Sequence, residues 1–212
     1  MSYIKAKKIN NKYFIILIIG IFFIVVSLSF FIYNAYNLKL KNDYDKLLLN
    51  DFFKIKDNIT TKEDNNLLIN NDKSNTTANY FAVLEIPKIN LKRGLYSKSN
   101  KNNNVNKNIY VLDETTLPNE QSNSHIILAA HSGNSSISFF RKLKFLQLND
   151  EIYFYYENTK YIYKLINKYE VNKTGVINIK QTNNSDITLI TCISGTNKQI
   201  VLIAEYIKEE KY

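Results

Sequence analysis

The segment Asp186-Ile-Thr-Leu-Ile-Thr-Cys192, the polar turn Ile193-Ser-Gly-Thr-Asn-Lys198 and the run Gln199-Ile-Val-Leu-Ile-Ala-Glu-Tyr206 decide how the rest of the chain is read. Two apolar, β-branched runs flank a loop rich in Ser, Gly, Thr and Asn, which is the pattern of two strands joined by a turn. Cys192 ends the first strand and is the chain's one cysteine. A thiol at a strand end, facing a polar loop, is where a rigid scaffold holds a nucleophile. The same position also suits a small buried hydrophobe, the ordinary role of a free cysteine.

Working outward, the strand pattern continues. Phe81 to Ile86 reads as a strand ended by Pro87, and Ile89 to Leu91 as resumed extended chain. Lys98 to Lys107 is a polar loop, Ile109–Leu112 and Ile126–Ala130 are short apolar strands, and Leu117-Pro118 lies in the turn region between them. Ser138 as N-cap and Phe139, Leu143 and Leu146 at helical spacing predict a short helix ending near Asn149-Asp150. Glu151–Glu157 and Lys160–Val171 alternate in polarity around an Asn158-Thr159 hairpin turn, and Ile177-Asn-Ile179 adds a further strand. The expectation is a mainly β domain: a closed or nearly closed barrel of about eight strands with one or more short helices.

The N-terminus predicts a membrane anchor. Tyr13 to Tyr33 carries no charge and matches the roughly 20 residues that span a bilayer. Lys5, Lys7, Lys8 and Lys12 precede it, while the signs are mixed after it, so the positive-inside rule puts residues 1–12 in the cytoplasm and the remainder outside. The apolar run exceeds a signal-peptide core of about 7–15 residues, and no small-x-small cleavage site follows. Residues 34–78 read as a polar stalk, helical over about Asn37–Lys56 and a loose tether beyond; the stalk's Asn-x-Ser/Thr triplets, such as Asn58-Ile59-Thr60, are chance in an Asn-rich chain. Residues 79–212 then form the folded β domain. Outside the membrane, a lone cysteine has no internal disulfide partner, which favours a reactive thiol.

Composition argues against nucleic acid as partner. The formal charge is +9, from 28 Lys and Arg against 19 Asp and Glu, but Arg93 and Arg141 are the only arginines and the lysines are scattered. An anionic lipid or wall surface suits that balance better. The sequence holds no internal repeat, Gly-rich phosphate loop or metal-ligand cluster. A thiol nucleophile needs a neighbour that takes its proton. The two histidines, His125 and His131, open and close one strand, and His131 stands before a loop that could wall a site.

Thr188-Leu-Ile-Thr-Cys192 resembles the T-L-x-T-C signature of sortases, the membrane-anchored cysteine transpeptidases of mainly Gram-positive bacteria. Leu84-Glu-Ile-Pro-Lys-Ile-Asn90 is similar to the family's opening strand. Ile127-Leu-Ala-Ala-His131 looks like its histidine strand, with Ala130 in place of the usual Gly. Phe139 to Asp150 resembles its helix and following Gly-Asp turn, with Asn149 where the glycine stands. Asn tolerates the left-handed conformation best after Gly. The resemblance covers about Asn79 to Ile207 and leaves the subclass open, with a class D-like enzyme among the candidates.

It implies that Cys192 and His131 are catalytic. Cys192 would cleave a Leu-Pro-x-Thr-Gly-like sorting signal at Thr through a thioester, without ATP or other cofactor and without a metal. An amine from a peptidoglycan precursor or a pilin lysine would resolve the thioester. The family's arginine at the start of the last strand is missing here. Gln199 or Lys198 stands in its place, Arg93 or Arg141 could enter from elsewhere, and Thr191 is a further candidate for substrate contact. Gln donates hydrogen bonds without charge, while Lys brings charge without a planar fork. The missing arginine leaves open a weak or inactive domain that binds sorting signals or scaffolds surface-protein assembly. An L,D-transpeptidase fits less well, since Thr191-Cys192 lacks that family's Ser-x-Gly-Cys context.

Overall fold

The computed structural model describes residues 11–59, 80–120, 123–174, 177 and 184–212. The basic residues Lys5, Lys7 and Lys8, the tether from 60 to 79 and most of the expected Ile177–Ile179 strand lie outside them. The chain divides into two units, with the boundary between Tyr44 and Asp45.

Helix α1 spans Asn11–Ile59. Its apolar stretch in the first unit is long enough to cross a membrane, and every side chain from Tyr13 to Tyr33 is exposed. A helix in hydrocarbon must satisfy its own polar groups. Ser29 does so by donating its hydroxyl to the Val25 carbonyl one turn back, at 2.9 Å.

In the second unit, the end of α1 carries an apolar stripe, Leu48, Leu49, Phe52 and Phe53, that packs on a sheet. Leu48 is buried with Tyr80 and Tyr96, and Leu49 and Phe52 pack against them. Phe53 meets Tyr155 and Tyr212 edge to face, with ring centres 5.4 and 5.5 Å apart. Asp45 anchors the contact. Its carboxylate pairs with Arg93 at 2.5 Å and accepts the Tyr80 hydroxyl. Burial raises the Tyr80 phenol far above its ordinary value of about 10, partly opposed by the Arg93 charge, so the phenol stays a donor. Removing one partner from so enclosed an ion pair typically costs about 3–5 kcal/mol.

Eight strands form one sheet curled into a nearly closed barrel. They are β1 Ala82–Ile86, β2 Leu91–Leu95, β3 Tyr110–Val111, β4 His125–Ala129, β5 Glu151–Tyr156, β6 Thr159–Asn172, β7 Asp186–Cys192 and β8 Lys198–Lys211. Their order is β2-β1-β5-β6-β8-β7-β4-β3. Every pairing is antiparallel except β4 with β7. The long β6–β8 pair contains two register shifts, near Ile162 and near Ile166, of the kind that bends a sheet toward closure.

Alternation sorts the side chains. Ile126, Leu128 and Ala130, then Ile187 and Leu189, then Ile200, Leu202 and Ala204 face the barrel core. Ile127, Ile190, Val201 and Ile203 lie on the opposite face and are buried as well. Two covered faces explain why β4, β7 and β8 read as nearly continuous apolar runs.

Three local expectations change. The segment after Ser138 is a series of tight turns and a single 3-10 turn at Leu143–Phe145, not an α-helix. Its bonds run from residue i+3 to i, as from Arg141 N–H to Ser138 O and from Leu146 N–H to Leu143 O, both near 3.1 Å. Phe140, Leu143 and Leu146 are the buried residues, a period of three that suits 3-10 geometry. The hairpin turn is Glu157-Asn158, one residue earlier than expected, with φ of 44° and 62° at its two central positions. The chain after Pro87 turns through Pro87–Ile89 before β2 begins. Asn149 has φ 74°, the left-handed conformation expected where the resembled family has glycine.

Gly94 lets Tyr80 approach the sheet. A Cβ there would fall 1.9 Å from the buried Tyr80 ring. Gly94→Ala must push the ring away from Asp45, so it should cost roughly 1–3 kcal/mol, as overpacking does. A thermal melt in detergent should show Tm lower by several degrees; an unchanged Tm would contradict this packing.

Candidate active site

The site is built by the one parallel pairing. β4 and β7 run in register from His125 opposite Asp186 to Ala129 opposite Ile190. Parallel strands end at the same edge of a sheet, so the residues that follow each strand share one rim. Beyond the last paired residue, Ala130 N–H still donates to Ile190 O at 3.3 Å. Thr191 Oγ1 donates to Ala130 O at 2.7 Å, and Ser132 Oγ to the Cys192 carbonyl. Continuing the same offset sets His131 opposite Cys192.

Alternation gives the face. His131 shares parity with Ile127 and Ala129, and Cys192 with Thr188 and Ile190, so both leave the sheet on the side away from the core. Both are half-buried. Gln199 is the cross-strand partner of Cys192 in the β7–β8 register and is half-buried on the same face. Directly opposed side chains in an antiparallel pair lie within contact range. Thus three of the expected residues, His131, Cys192 and Gln199, occupy three adjacent strands at one rim.

The other expected residues sit elsewhere. Thr191 has the core-facing parity, is buried, and spends its hydroxyl on Ala130. Its position gives it a structural duty, tying the two strand ends together. Lys198 is exposed and paired with Glu170 of β6 at 3.0 Å. Arg93 is occupied: it meets Asp45, donates from Nε to Asn108 Oδ1 at 2.7 Å, and lies over the Phe139 ring at 4.4 Å. Arg141 is exposed, beside a groove of about 250 Å³ also lined by Ser135, Phe139 and Lys142.

His125 stands at the far end of β4, buried, with Nε2 2.8 Å from Thr188 Oγ1. Burial lowers its pKa below the usual 6.5 or so, with the Asp186 charge opposing. It is a strand-end polar residue held by a threonine.

One partner of His131 was not visible in the sequence. Asn106 Oδ1 lies 3.0 Å from His131 Nε2. The loop that carries it reads as a polar stretch of asparagines, yet those asparagines build it. Asn100 and Asn104 side chains accept from the backbone N–H two residues on, each at 2.8 Å. Asn103 exchanges two bonds with Val111, at 2.8 and 2.9 Å. The spacing Asn-x-Asn at 100/102 and at 104/106 was the available signal. Among the described residues, no group of three acidic, histidine or cysteine side chains is arranged to hold a metal.

The sequence profile of the Sortase domain matches residues 84–207, more than half of the chain. The chain belongs to the sortase family. Cysteine transpeptidation is the activity of that family, which acts on proteins bearing sorting signals and on amine acceptors. The apolar part of α1 fits a membrane-associated enzyme. Sortase A of Listeria monocytogenes is similar in fold, with TM-score 0.53 and 21% identity over 63% of this chain and 90% of that one. The pilus island 1 sortase C2 of Group B Streptococcus gives 0.54 and 23%, covering 61% and 74% of the two chains. A sortase D5 transpeptidase of Clostridium perfringens gives 0.51 and 21%, covering 61% and 80%. These likenesses establish the fold and span classes A, C and D alike. No curated protein matches the sequence at a significant level.

The His125 environment sets a pH dependence of stability. The folded chain resists protonating His125 while the unfolded chain does not, so unfolded molecules bind more protons as pH falls. Stability is therefore complete above about pH 6.5 and is lost as pH drops through the lowered folded value. Urea midpoints between about pH 8 and pH 5 should fall for wild type and fall less for His125→Gln. Equal slopes would mean that His125 does not carry the effect.

Proposed function

We propose that this sortase cleaves a C-terminal Leu-Pro-x-Thr-Gly-like sorting signal at Thr and transfers the protein to an amine. The parallel β4–β7 pair carries this reading, because a matched register supports His131 and Cys192 acting on one scissile bond. Cys192 gives its proton to His131, and the thiolate attacks the threonyl carbonyl. The tetrahedral oxyanion collapses, the C–N bond breaks, and His131 returns the proton to the leaving amine. An acceptor amine then attacks the thioester, His131 removes its proton, and the Cys192 thiolate departs. The thioester preserves the reactivity of the acyl group, so the balance needs no other reactant.

Gln199 is the preferred donor to the developing oxyanion, since it opposes Cys192 across the β7–β8 ladder. Arg93 would have to break its enclosed pair with Asp45 at 2.5 Å to move in, whereas Lys198 has the opposite strand parity to Gln199 and its exposed pair with Glu170 at 3.0 Å is a weak tether. Residues 13–33 anchor the enzyme with its N-terminus in the cytoplasm, and the domain from about residue 79 works outside. The acceptor is an amine on a peptidoglycan precursor or on a pilin lysine.

The occupied Arg93 also favours one alternative, a domain that binds signals with little or no turnover. Incubating the full chain in detergent with such a peptide separates the two. The transpeptidase reading expects a hydroxamate on adding hydroxylamine; no releasable thioester from wild type contradicts it. Cys192→Ala and His131→Ala should abolish turnover, while His125→Gln keeps it. In the same assay Gln199→Ala should lose roughly a hundredfold, the scale of an oxyanion donor, and Lys198→Ala should lose little.

A further inference from the structure

His131 is half-buried and Asn106 is exposed, so the 3.0 Å bond between them competes with water. A hydrogen bond in that setting orients a histidine only if its partner is itself held still, because ordering a free loop would cancel the gain. The loop is held at both flanks of Asn106. On one side, Asn104 Oδ1 accepts from Asn106 N–H at 2.8 Å. On the other, Asn108 is fully buried, and its Nδ2 donates to Gly94 O at 2.8 Å. Its Oδ1 accepts from Arg93 Nε at 2.7 Å, and its N–H donates to Asn104 O at 2.8 Å. Arg93 is in turn fixed by Asp45 at 2.5 Å. The path from Asp45 to His131 thus runs through the Arg93 and Asn108 side chains and then the Asn104–Asn108 backbone, with Asn106 as its exposed tip.

We propose that Asn106 is a positioning residue for His131, and that the Asp45–Arg93–Asn108 chain holds it in place. This rests on the transpeptidase reading of His131. The acceptor is an amide oxygen, so Nε2 of His131 carries the proton that points at Asn106, and Nδ1 is the nitrogen that exchanges a proton with Cys192 and with the leaving amine. Asn106 cannot take the proton away, so it orients the ring in both charge states. Asp45 belongs to the end of α1, so the segment leading toward the membrane stretch contributes to the precision of the histidine. An acceptor that fixes tautomer and ring angle, supported by a rigid second layer, is what general acid–base chemistry requires.

The test uses the full chain in detergent micelles with 15N-labelled histidine, its two imidazoles assigned through His125→Gln. At alkaline pH, where the ring is neutral, wild-type His131 should show the Nε2–H tautomer in large excess; a predominant Nδ1–H form would overturn the proposal. This reading needs no turnover, so absence of thioester in wild type would defeat the functional reading and leave the tautomer result standing. Asn106→Ala should mix the tautomers and lower kcat about 10- to 100-fold, with KM changed less than about twofold. Asn106→Asp keeps the acceptor oxygen and should restore turnover. Asp45→Asn touches neither ring nor loop, yet it should shift both readouts the same way, by between about 2- and 30-fold in kcat. An Asn106→Ala enzyme with wild-type kcat and an unmixed tautomer would refute the role of Asn106. An Asp45→Asn enzyme unchanged in both would refute the chain behind it.

Discussion

The register of a single strand pair governs this molecule. β4 and β7 are the parallel neighbours in an otherwise antiparallel sheet, and their offset is 61 residues at every paired position from His125/Asp186 to Ala129/Ile190. A slip of one residue would turn Cys192 into the core and bring Thr191 out, because side chains alternate with period two. The register is therefore guarded by the core: a slip of β7 would take Ile187 and Leu189 off the core face and turn Thr188 and Ile190 into it. Both faces are covered, so the discrimination comes from fit, with Thr188 forced into the apolar core and its bond to His125 broken. The threonine before the cysteine adds a direct lock. Its buried hydroxyl reaches the Ala130 carbonyl, joining the two strands one residue before Cys192.

That constraint separates the residues that serve the barrel from those that serve the rim. Core parity takes Thr191 and Ala130, and outer parity takes His131, Cys192 and Gln199. The charged groups follow a different logic. The resembled family's arginine is missing from β8, and Arg93 is bound up in an enclosed pair that builds the scaffold. Arg93 joins the α1 end to the loop before β3, so its charge serves the frame that we propose holds His131. Gln199, opposite Cys192 in the β7–β8 register, is the neutral donor we propose in its place.

Much of this was legible in the sequence, and what was not has identifiable causes. The strands were readable because β4, β7 and β8 are apolar on both faces and β5 and β6 alternate. Cys192 and His131 were readable as strand-end residues, and the resemblance joined them; no spacing rule reveals a parallel register across 61 residues. The segment after Ser138 was read as a helix because Phe139, Leu143 and Leu146 fit a helical period. Buried Phe140 shows the period to be three, and the 3-10 turn won. The end of α1 reads as part of a polar stalk because its charges are mixed, and its Leu48, Phe52 and Phe53 form a stripe that packs on tyrosines of the sheet and its flanks. Asn106 was hidden by composition. In a chain rich in asparagine, side chains that close turns resemble filler until the turns are seen.

The central claim is that His131 and Cys192 face each other across the parallel pair, and a crosslink measures it most directly. Residues opposed on neighbouring strands have Cα atoms within the roughly 4.4–6.8 Å that a disulfide spans. His131→Cys should therefore form an intramolecular disulfide with Cys192 on mild oxidation, read as the loss of two hydrogens in the intact mass of the monomer. His125→Cys, six residues and about 20 Å along the same strand, should not. Efficient closure at position 131 alone is the result the account predicts. Failure to close there, or equal closure from position 125, would contradict the register on which the site depends.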